Sequence, residues 1–403
     1  MNILAFNCGS SSLKYRLISM PSEEQIAGGE AQRVGPKTAE PSRIVHTERG
    51  GKKETFIVEM RDHGEAFQEV RKLLAARNHA QADIFSHRLA HGGLRFGACT
   101  RLDAQAMADL PPLGELAPLH NPPAIALMQA CHQYCPTTPQ AVVCDTAYHA
   151  EIPDYARTYA LPKSIREGMG IRKFGFHGIS HAYVVAEAAR FLNKPLEKFN
   201  AVSCHLGSGG ASLCAVVNGR SVDNTMGYSP LQGLVMSTRC GDLDPAIVMH
   251  LLSRAKGNPK SVESELNRKS GVLGMSGMSA DIRDVLKAAA KGGEDAGRLD
   301  LAAQIYLWRI RKYLGSYLAV VGRTDAVLFT DTIGELVPHV RWACCTNMEA
   351  FGLKIDAEKN ENVTTWPTDV AAGDSAVRIL TLLTNEELLM ARKTYALMNG
   401  TAA

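Results

Sequence analysis

Several features that would place this chain in a familiar functional class are missing from it. No C-x-x-C pair occurs among its ten cysteines, which removes the zinc-ribbon and dithiol-redox readings. Lys and Arg total 44 against 41 Asp and Glu, a formal charge of only +3. No basic stripe is concentrated anywhere, and Lys52-Lys53 reads as a solvated turn, so a nucleic-acid surface is not expected. No run approaches the ~20 apolar residues of a membrane span. The start of the chain also lacks the basic leader and apolar core of a secretory signal. Cys8, Cys144, Cys204 and Cys214 sit in or beside apolar stretches, as small buried hydrophobes do in a reducing compartment. These absences predict a soluble cytoplasmic protein with no nucleic-acid or membrane partner.

What is present begins with Asn7-Cys8-Gly9-Ser10-Ser11-Ser12-Leu13-Lys14. The apolar run Ile3 to Phe6 feeds into it and Leu13 to Ile18 alternates out, the pattern of a hairpin around a turn of small residues. Such a turn lets backbone N–H groups and hydroxyls converge, with Lys14 as a cation, and suits a phosphate. It is not a Walker loop, because the G-x-x-x-x-G-K-[ST] spacing is absent and a strand follows. Half a chain later the pattern recurs as Ala201 to Leu206, then Gly207-Ser208-Gly209-Gly210-Ala211-Ser212, then Leu213 to Val217. In a chain of 403 residues, 45% of them hydrophobic, this predicts two related halves, each with a phosphate-grasping hairpin.

Other candidates follow in order. Helical spacing is expected over 63–78, 124–134, 180–193, 280–290 and 299–321, the last with Ile305, Trp308, Ile310, Tyr313, Leu314 and Tyr317 as its apolar set. Arg88 ends a strand before Gly92-Gly93, and a buried arginine there suits an anion or an ion pair equally. Asp145 follows the strand Ala141 to Cys144, where open α/β sheets place chemistry, although a turn residue would look the same. His177 and His181 stand at i, i+4 without the Glu of H-E-x-x-H or a third ligand, so zinc is not expected. Arg239 lies in a Gly-bounded loop that Pro245 closes by opening a helix. Thr384-x-x-Glu387 predicts a capping box on the final helix and leaves Glu386 unexplained.

These residues resemble the acetate/propionate kinase family of the sugar kinase, heat-shock and actin superfamily. The resemblance runs in order through Asn7 to Lys14, His87 to Gly93, Leu116 to Pro122, Asp145 to His149, Phe174 to His181, His205 to Ser212, Thr238 to Asp244, Ser270 to Gly277, Phe329 to Glu335 and Thr384 to Leu388. It implies an α/β, duplicated ribonuclease H-like (actin-like ATPase) fold. The two domains would be 1–147 plus 386–403 and 148–385, with an active-site cleft between them and the second domain forming a homodimer. It further implies reversible phosphoryl transfer between ATP and acetate or propionate, giving acyl phosphate and ADP, with Mg²⁺ or Mn²⁺.

By the same resemblance, Asn7 and Glu386 lie around the metal, and Ser10, Ser12 and Lys14 hold phosphate. Arg88 and Arg239 clamp the carboxylate and the transferring group, His177 stabilises the transition state, and Asp145 is the acidic catalytic residue. Ala90, Leu119, Phe176 and Pro230 line the acyl pocket. His205, Gly207, Ser208, Gly209, Asp281, Ile282, Arg283, Asp331, Thr332, Ile333, Gly334 and Glu335 contact the nucleotide or its phosphates. The chemistry is consistent, because a carboxylate attacking a phosphoryl group needs positioning and positive charge more than a base. An ionised Asp145 would then orient a cation or the metal's water.

Four positions depart from the family pattern: Ser208 and Leu336 stand where Asn is usual, and Asp331-Thr332 where Gly-Gly is usual. All are on the nucleotide side, so weak ATP binding is expected, with pyrophosphate or another nucleotide as the alternative donor. A nucleotide-gated binding protein of the same fold is the alternative without catalysis. It would have no use for Arg88, Arg239 and His177.

Overall fold

The computed structural model describes residues 1–35, 40–79, 81–118 and 120–401. They divide into two compact units, Met1–Ala150 with Asn385–Ala403, and Glu151–Thr384.

The first unit holds β1 (Asn2–Cys8), β2 (Ser12–Ser19), β3 (Glu24–Gln32), β4 (Arg43–Glu48), β5 (Lys53–Ile57), β6 (Ile84–Leu89), β7 (Thr100–Arg101) and β8 (Gln140–Cys144). They form one sheet in the order β5-β4-β3-β2-β1-β6-β8-β7. The second unit holds β9 (Ala201–Leu206), β10 (Ala211–Val217), β11 (Arg220–Asn224), β12 (Ala326–Thr330), β13 (Thr368–Asp369) and β14 (Arg378–Thr381), ordered β11-β10-β9-β12-β14-β13. Five consecutive strands of each sheet share one topology. β3-β2-β1-β6-β8 and β11-β10-β9-β12-β14 both pair antiparallel, antiparallel, parallel, parallel. The fold is thus α/β with a duplicated ribonuclease H-like, actin-like unit.

Composition follows position in the sheet. β8, β9 and β12 are buried along their whole length, hence their largely apolar composition, with the polar Gln140, Ser203 and His205 each hydrogen-bonded. The outermost β5 instead alternates exposed and half-buried residues. Helices His63–Ala76 and Asn121–Tyr134 pack together under the first sheet. The 26-residue helix Ala296–Val321 lies against β9 and β10. Its buried face includes Ile310, Leu314 and Tyr317, each contributing about 1.5–3 kcal/mol by burial. Trp308, placed in that apolar set by spacing, is 68% exposed, because it falls on the opposite face.

The last helix, Glu386–Met398, packs on β1, β6 and β8. Its cap differs from the capping box expected at Thr384. Asn385 is the N-cap and its side chain accepts from Leu388 N at 3.2 Å. That shifts the first turn by one residue and releases both Glu386 and Glu387 for other partners. All ten cysteines are free and seven are buried. Burial pushes the Cys8, Cys214 and Cys344 thiols up to about 12, so they are packing residues rather than nucleophiles. Among the described residues no helix is long and apolar enough to cross a membrane.

Candidate active site

In the first unit the chemistry gathers at the carboxyl ends of β1, β6 and β8, where the last helix also begins. Arg88 sits one residue before the end of β6 and forks onto Asp145, with Nε donating to Oδ1 at 2.9 Å and Nη2 to Oδ2 at 2.6 Å. Its Nη1 donates to Asn7 Oδ1 at 2.8 Å and lies 3.7 Å from Glu386 Oε2. Asn7 in turn donates through Nδ2 to Glu386 Oε2 at 2.7 Å. Burial works against the Arg88 charge, yet Asp145 and then Glu386 outweigh it and hold the guanidinium above its ordinary range. Asp145 is 1% exposed. Its role here is to hold and orient Arg88, and a bidentate pair fixes direction as well as charge. Glu387 does not cap the helix: it pairs with Arg16 at 3.4 Å.

The turn that joins β1 to β2 closes with Gly9 N–H donating to Ser12 O at 2.9 Å. His63, which the sequence left unmarked, reaches Gly9 O through Nε2 at 3.0 Å. Ser10 and Lys14 are exposed and Ser12 half-buried. Ala90 follows β6 and is half-buried. Leu119 lies outside the described residues.

In the second unit, His177 is the N-cap of helix Gly178–Phe191 in the left-handed region, φ 55°. Its Nδ1 meets Ser212 Oγ at 2.9 Å, and His181 Nε2 meets the same oxygen at 2.9 Å. His181 Nδ1 is held by Ser203 Oγ at 2.8 Å. The i, i+4 histidines therefore share a serine, and His181 orients His177 through it. The His177 ring stacks on His205 at 4.2 Å. Two imidazolium ions that close would repel by about 4 kcal/mol at an effective dielectric near 20.

His205 Nδ1 meets Ser180 Oγ at 2.8 Å, and Ser180 meets Thr384 Oγ1 at 2.9 Å. His205 Nε2 is 3.1 Å from Asp331 Oδ2. The other face of the His177 ring system is set by the second turn. A Cβ on Gly210 would stand 3.3 Å from His177 Nε2 and 3.6 Å from Arg239 Nη1. Imidazole, guanidinium and turn thus close around one point. Ser237 Oγ donates to Gly209 O at 2.9 Å and ties the Arg239 loop to that turn. Burial pushes the Arg239 pKa down, so this cation favours an anion beside it. Phe176 is buried and Pro230 half-buried.

The segments expected at a nucleotide lie in the same unit. Asp331 keeps the left-handed backbone of the glycine it replaces, φ 61°. Its carboxylate turns onto His205 and against Gly207, where a Cβ would stand 2.5 Å from Oδ2. The carboxylate that this substitution introduces is therefore met by the His205 imidazole. Thr332 Oγ1 accepts from Ser208 N at 3.1 Å, so two of the departures from the family pattern bond to each other. Glu335 Oε1 accepts from Asp331 N at 2.9 Å and Thr384 N at 3.2 Å. Ile282 and Ile333 are buried in the core, which leaves only their backbone for a ligand. Arg283 forks onto Asp281, the cap of helix Ile282–Lys291. A groove of about 1130 Å³ runs past Arg283, Lys287, Gln304, Leu336, Pro338 and His339.

Arg341 was not foreseen. It is fully buried and donates to Gly334 O at 2.8 Å, Glu335 O at 2.9 Å, and both Asn360 Oδ1 and Asn360 O. Burial lowers its pKa to about 10. It anchors the short helix Asp331–Leu336 from behind, and nothing in its local sequence signals that.

A profile of the Acetokinase family matches residues 2–392. The chain belongs to the acetokinase family. It is 44% identical to the acetate kinase of Acetivibrio thermocellus over 99% of this chain and 100% of that one. It is also 44% identical to the acetate kinase of Clostridium novyi over 98% of each. Among solved structures, Porphyromonas gingivalis acetate kinase superposes with a TM-score of 0.89 at 33% identity, covering 98% of this chain and 99% of that one. A propionate kinase from Francisella tularensis gives 0.89 at 34% identity, covering 97% and 98%. This acetokinase-family chain is thus similar to kinases of both acids.

Proposed function

We propose that the protein is an acyl kinase that transfers a phosphoryl group reversibly between ATP and acetate or propionate. The observation that carries this reading is the grouping of His177 Nε2 and Arg239 Nη1 against the Gly210 turn. Two donors aimed past a small-residue turn suit the equatorial oxygens of a transferring phosphoryl group.

In the forward direction a carboxylate oxygen forms a bond to the γ-phosphorus while the bond from phosphorus to the bridging oxygen of ADP breaks. No proton has to move. Arg88, held by Asp145, binds and orients the carboxylate. Ser212 and His181 lock the His177 ring so that Nε2 donates to the phosphoryl oxygens. The Glu386 carboxylate and the Asn7 amide oxygen, which sits beside Arg88, would offer Mg²⁺ the oxygen ligands it selects. When bound there, Mg²⁺ supplies charge neutralisation of the phosphates. The groove beside Arg283 and Leu336 takes the nucleoside, and Arg341 keeps its neighbouring segment in register. The exposed face of helix Ala296–Val321, with Leu301 and Trp308 at 57% and 68% exposure, is covered by a second copy in a homodimer.

The test is acyl-phosphate formation with ATP or pyrophosphate against acetate and propionate. Turnover with ATP and either acid supports the proposal. Turnover with pyrophosphate alone would replace the donor, and none with any pair would remove the activity. Ala90→Val should shift selectivity toward acetate by about 10- to 100-fold, the scale of one methylene in an apolar pocket.

A further inference from the structure

The outer strands of the first unit carry a cluster that the acyl-kinase chemistry does not use. His46 and Glu48 are two apart on β4 and so share a face, and His79 follows helix His63–Ala76. His46 Nε2 lies 2.8 Å from Glu48 Oε1, and His79 Nε2 lies 3.0 Å from Glu48 Oε2. The three ligand atoms all fall within 4.8 Å of one another. His46 is fully buried, while the Glu48 and His79 side chains are 25% and 15% exposed.

The surroundings are those of a ligand set rather than of a chance ion pair. Tyr15 Oη stands 2.7 Å from His46 Nδ1 and fixes that ring from its far side. Gly29 makes room for this contact, since a Cβ there would lie 2.7 Å from Tyr15 Oη. Arg77 Nε donates to Glu48 Oε1 at 2.8 Å, leaving Oε2 toward His79. The Arg77 charge is shared with Glu54. Metal-bound histidines and carboxylates are typically held in this manner, by a partner on the second ring nitrogen or second oxygen.

We propose that His46 Nε2, His79 Nε2 and Glu48 Oε2 bind a divalent transition-metal ion of the zinc type, with water in the fourth position. Two imidazoles exclude Mg²⁺ and Ca²⁺ as the preferred ion, and the mixed N/O set suits zinc. Ligand bonds of about 2.0–2.1 Å in a tetrahedron place donor atoms about 3.3 Å apart. The His79 Nε2 to Glu48 Oε2 distance of 3.0 Å therefore opens by only a few tenths of an ångström on binding, and the other ligand pairs already lie within 4.8 Å. Nδ1–H of His46 then donates to Tyr15 Oη. The ion ties β4 to the segment after the helix and stabilises the first unit by mass action.

The experiment uses metal-free full-length protein without nucleotide, titrated with Zn²⁺ and with Co²⁺. The expected result is one equivalent of Zn²⁺ that is lost in both Glu48→Gln and His79→Gln. Zn²⁺ should raise the unfolding temperature of the wild type and leave that of His79→Gln unchanged. Tyr15→Phe should weaken binding by about 10- to 100-fold. The Co²⁺ spectrum should lack thiolate charge transfer. His79 is at the surface edge, so its variant is expected to keep the wild-type circular dichroism, and a metal held at Asn7 and Glu386 survives the substitution and cancels in the difference. The proposal is overturned if the wild type takes up no saturable equivalent, if folded His79→Gln retains it, or if thiolate bands appear.

Discussion

The two glycine-serine hairpins have one backbone and two chemistries. Cys8 faces Leu13 across the first turn and Leu206 faces Ala211 across the second. Each turn is closed by a glycine N–H bonded to the carbonyl three residues on, at 2.9 and 3.0 Å. Asn7 and His205 hold the same rung of the two ladders, opposite Lys14 and Ser212. Around Asn7 the neighbours are ions: Arg88, Asp145 and Glu386. Around His205 they are imidazoles and hydroxyls, with the Asp331 carboxylate beside that ring. The duplicated turn supplies the same N–H cradle twice, and the residue two before it decides what gathers there. Buried ions must be matched in charge. A histidine-serine network needs only matching donors and acceptors.

The largest expected effects test whether the two arginines differ as their surroundings do. Arg88→Ala and Arg239→Ala should each lower kcat by about 100- to 1,000-fold, the scale of a lost electrostatic donor. Arg88→Ala should also cost about 3–5 kcal/mol of stability, because the buried Asp145 side chain loses its bidentate partner. Arg239 is disfavoured by its own burial, so its removal should leave stability within about 1 kcal/mol. Urea unfolding beside steady-state kinetics measures both. Equal destabilisation would erase the distinction.

The pH dependence should separate the units by sign. His87 in the first unit is buried, and burial lowers its pKa from 6.5 to about 4. Its contribution is complete above 6.5 and is lost as pH falls toward 4, by about 3 kcal/mol at 1.4 per unit. His87→Gln keeps a donor for Gln140, which His87 meets at 2.7 Å, and should flatten the acid limb of the urea midpoint. Glu335 in the second unit is shifted upward by burial. Its penalty is absent in acid and accrues as pH rises above the ordinary carboxyl range. Glu335→Gln should therefore gain on the wild type at neutral pH and lose that gain in acid.

The finest comparison is at the paired rung. Ser212→Ala should cost about 1–3 kcal/mol, since His177 and His181 both bond to that hydroxyl. It should lower kcat more than it raises KM. Lys14→Ala, at an exposed position, should leave the unfolding temperature unchanged and raise KM for the phosphoryl donor. If Ser212→Ala changes only KM, the serine is a binding group like its counterpart.

The segments that carry the candidate site are legible in the sequence because each is local. A strand, a turn of small residues and a second strand announce a hairpin wherever they occur, and the repeat of Asn7 to Lys14 at His205 to Ser212 announces duplication. Arg88 and Asp145 could each be picked out as a charge at the end of an apolar strand. Their pairing could not, because β6 and β8 are brought side by side only by the sheet. The acidic first turn of the last helix was misread as a capping box for a similar reason. Asn385 takes the cap once Thr384 is bonded to Glu335 and Ser180. Local propensity permits either residue, and only tertiary contacts choose.

By itself, then, the amino-acid order determined the α/β class, the two hairpins, the separation of apolar strands from polar turns, and the family. The first three follow from periodicity and from glycine and serine at fixed spacings, which act over a few residues, and the family follows from the resemblance of the motifs in their order along the chain. The tertiary structure alone decided that Asp145 holds Arg88, that Asp331 turns its charge onto His205, and that His181 reaches His177 through Ser212. It also decided that Arg341, an ordinary residue of a short helix, braces Gly334 and Glu335. Each is a contact between segments distant in sequence or hidden in the core. Its energy comes from satisfying a buried charge or hydrogen-bonding group, and that demand exists only once folding has removed the water.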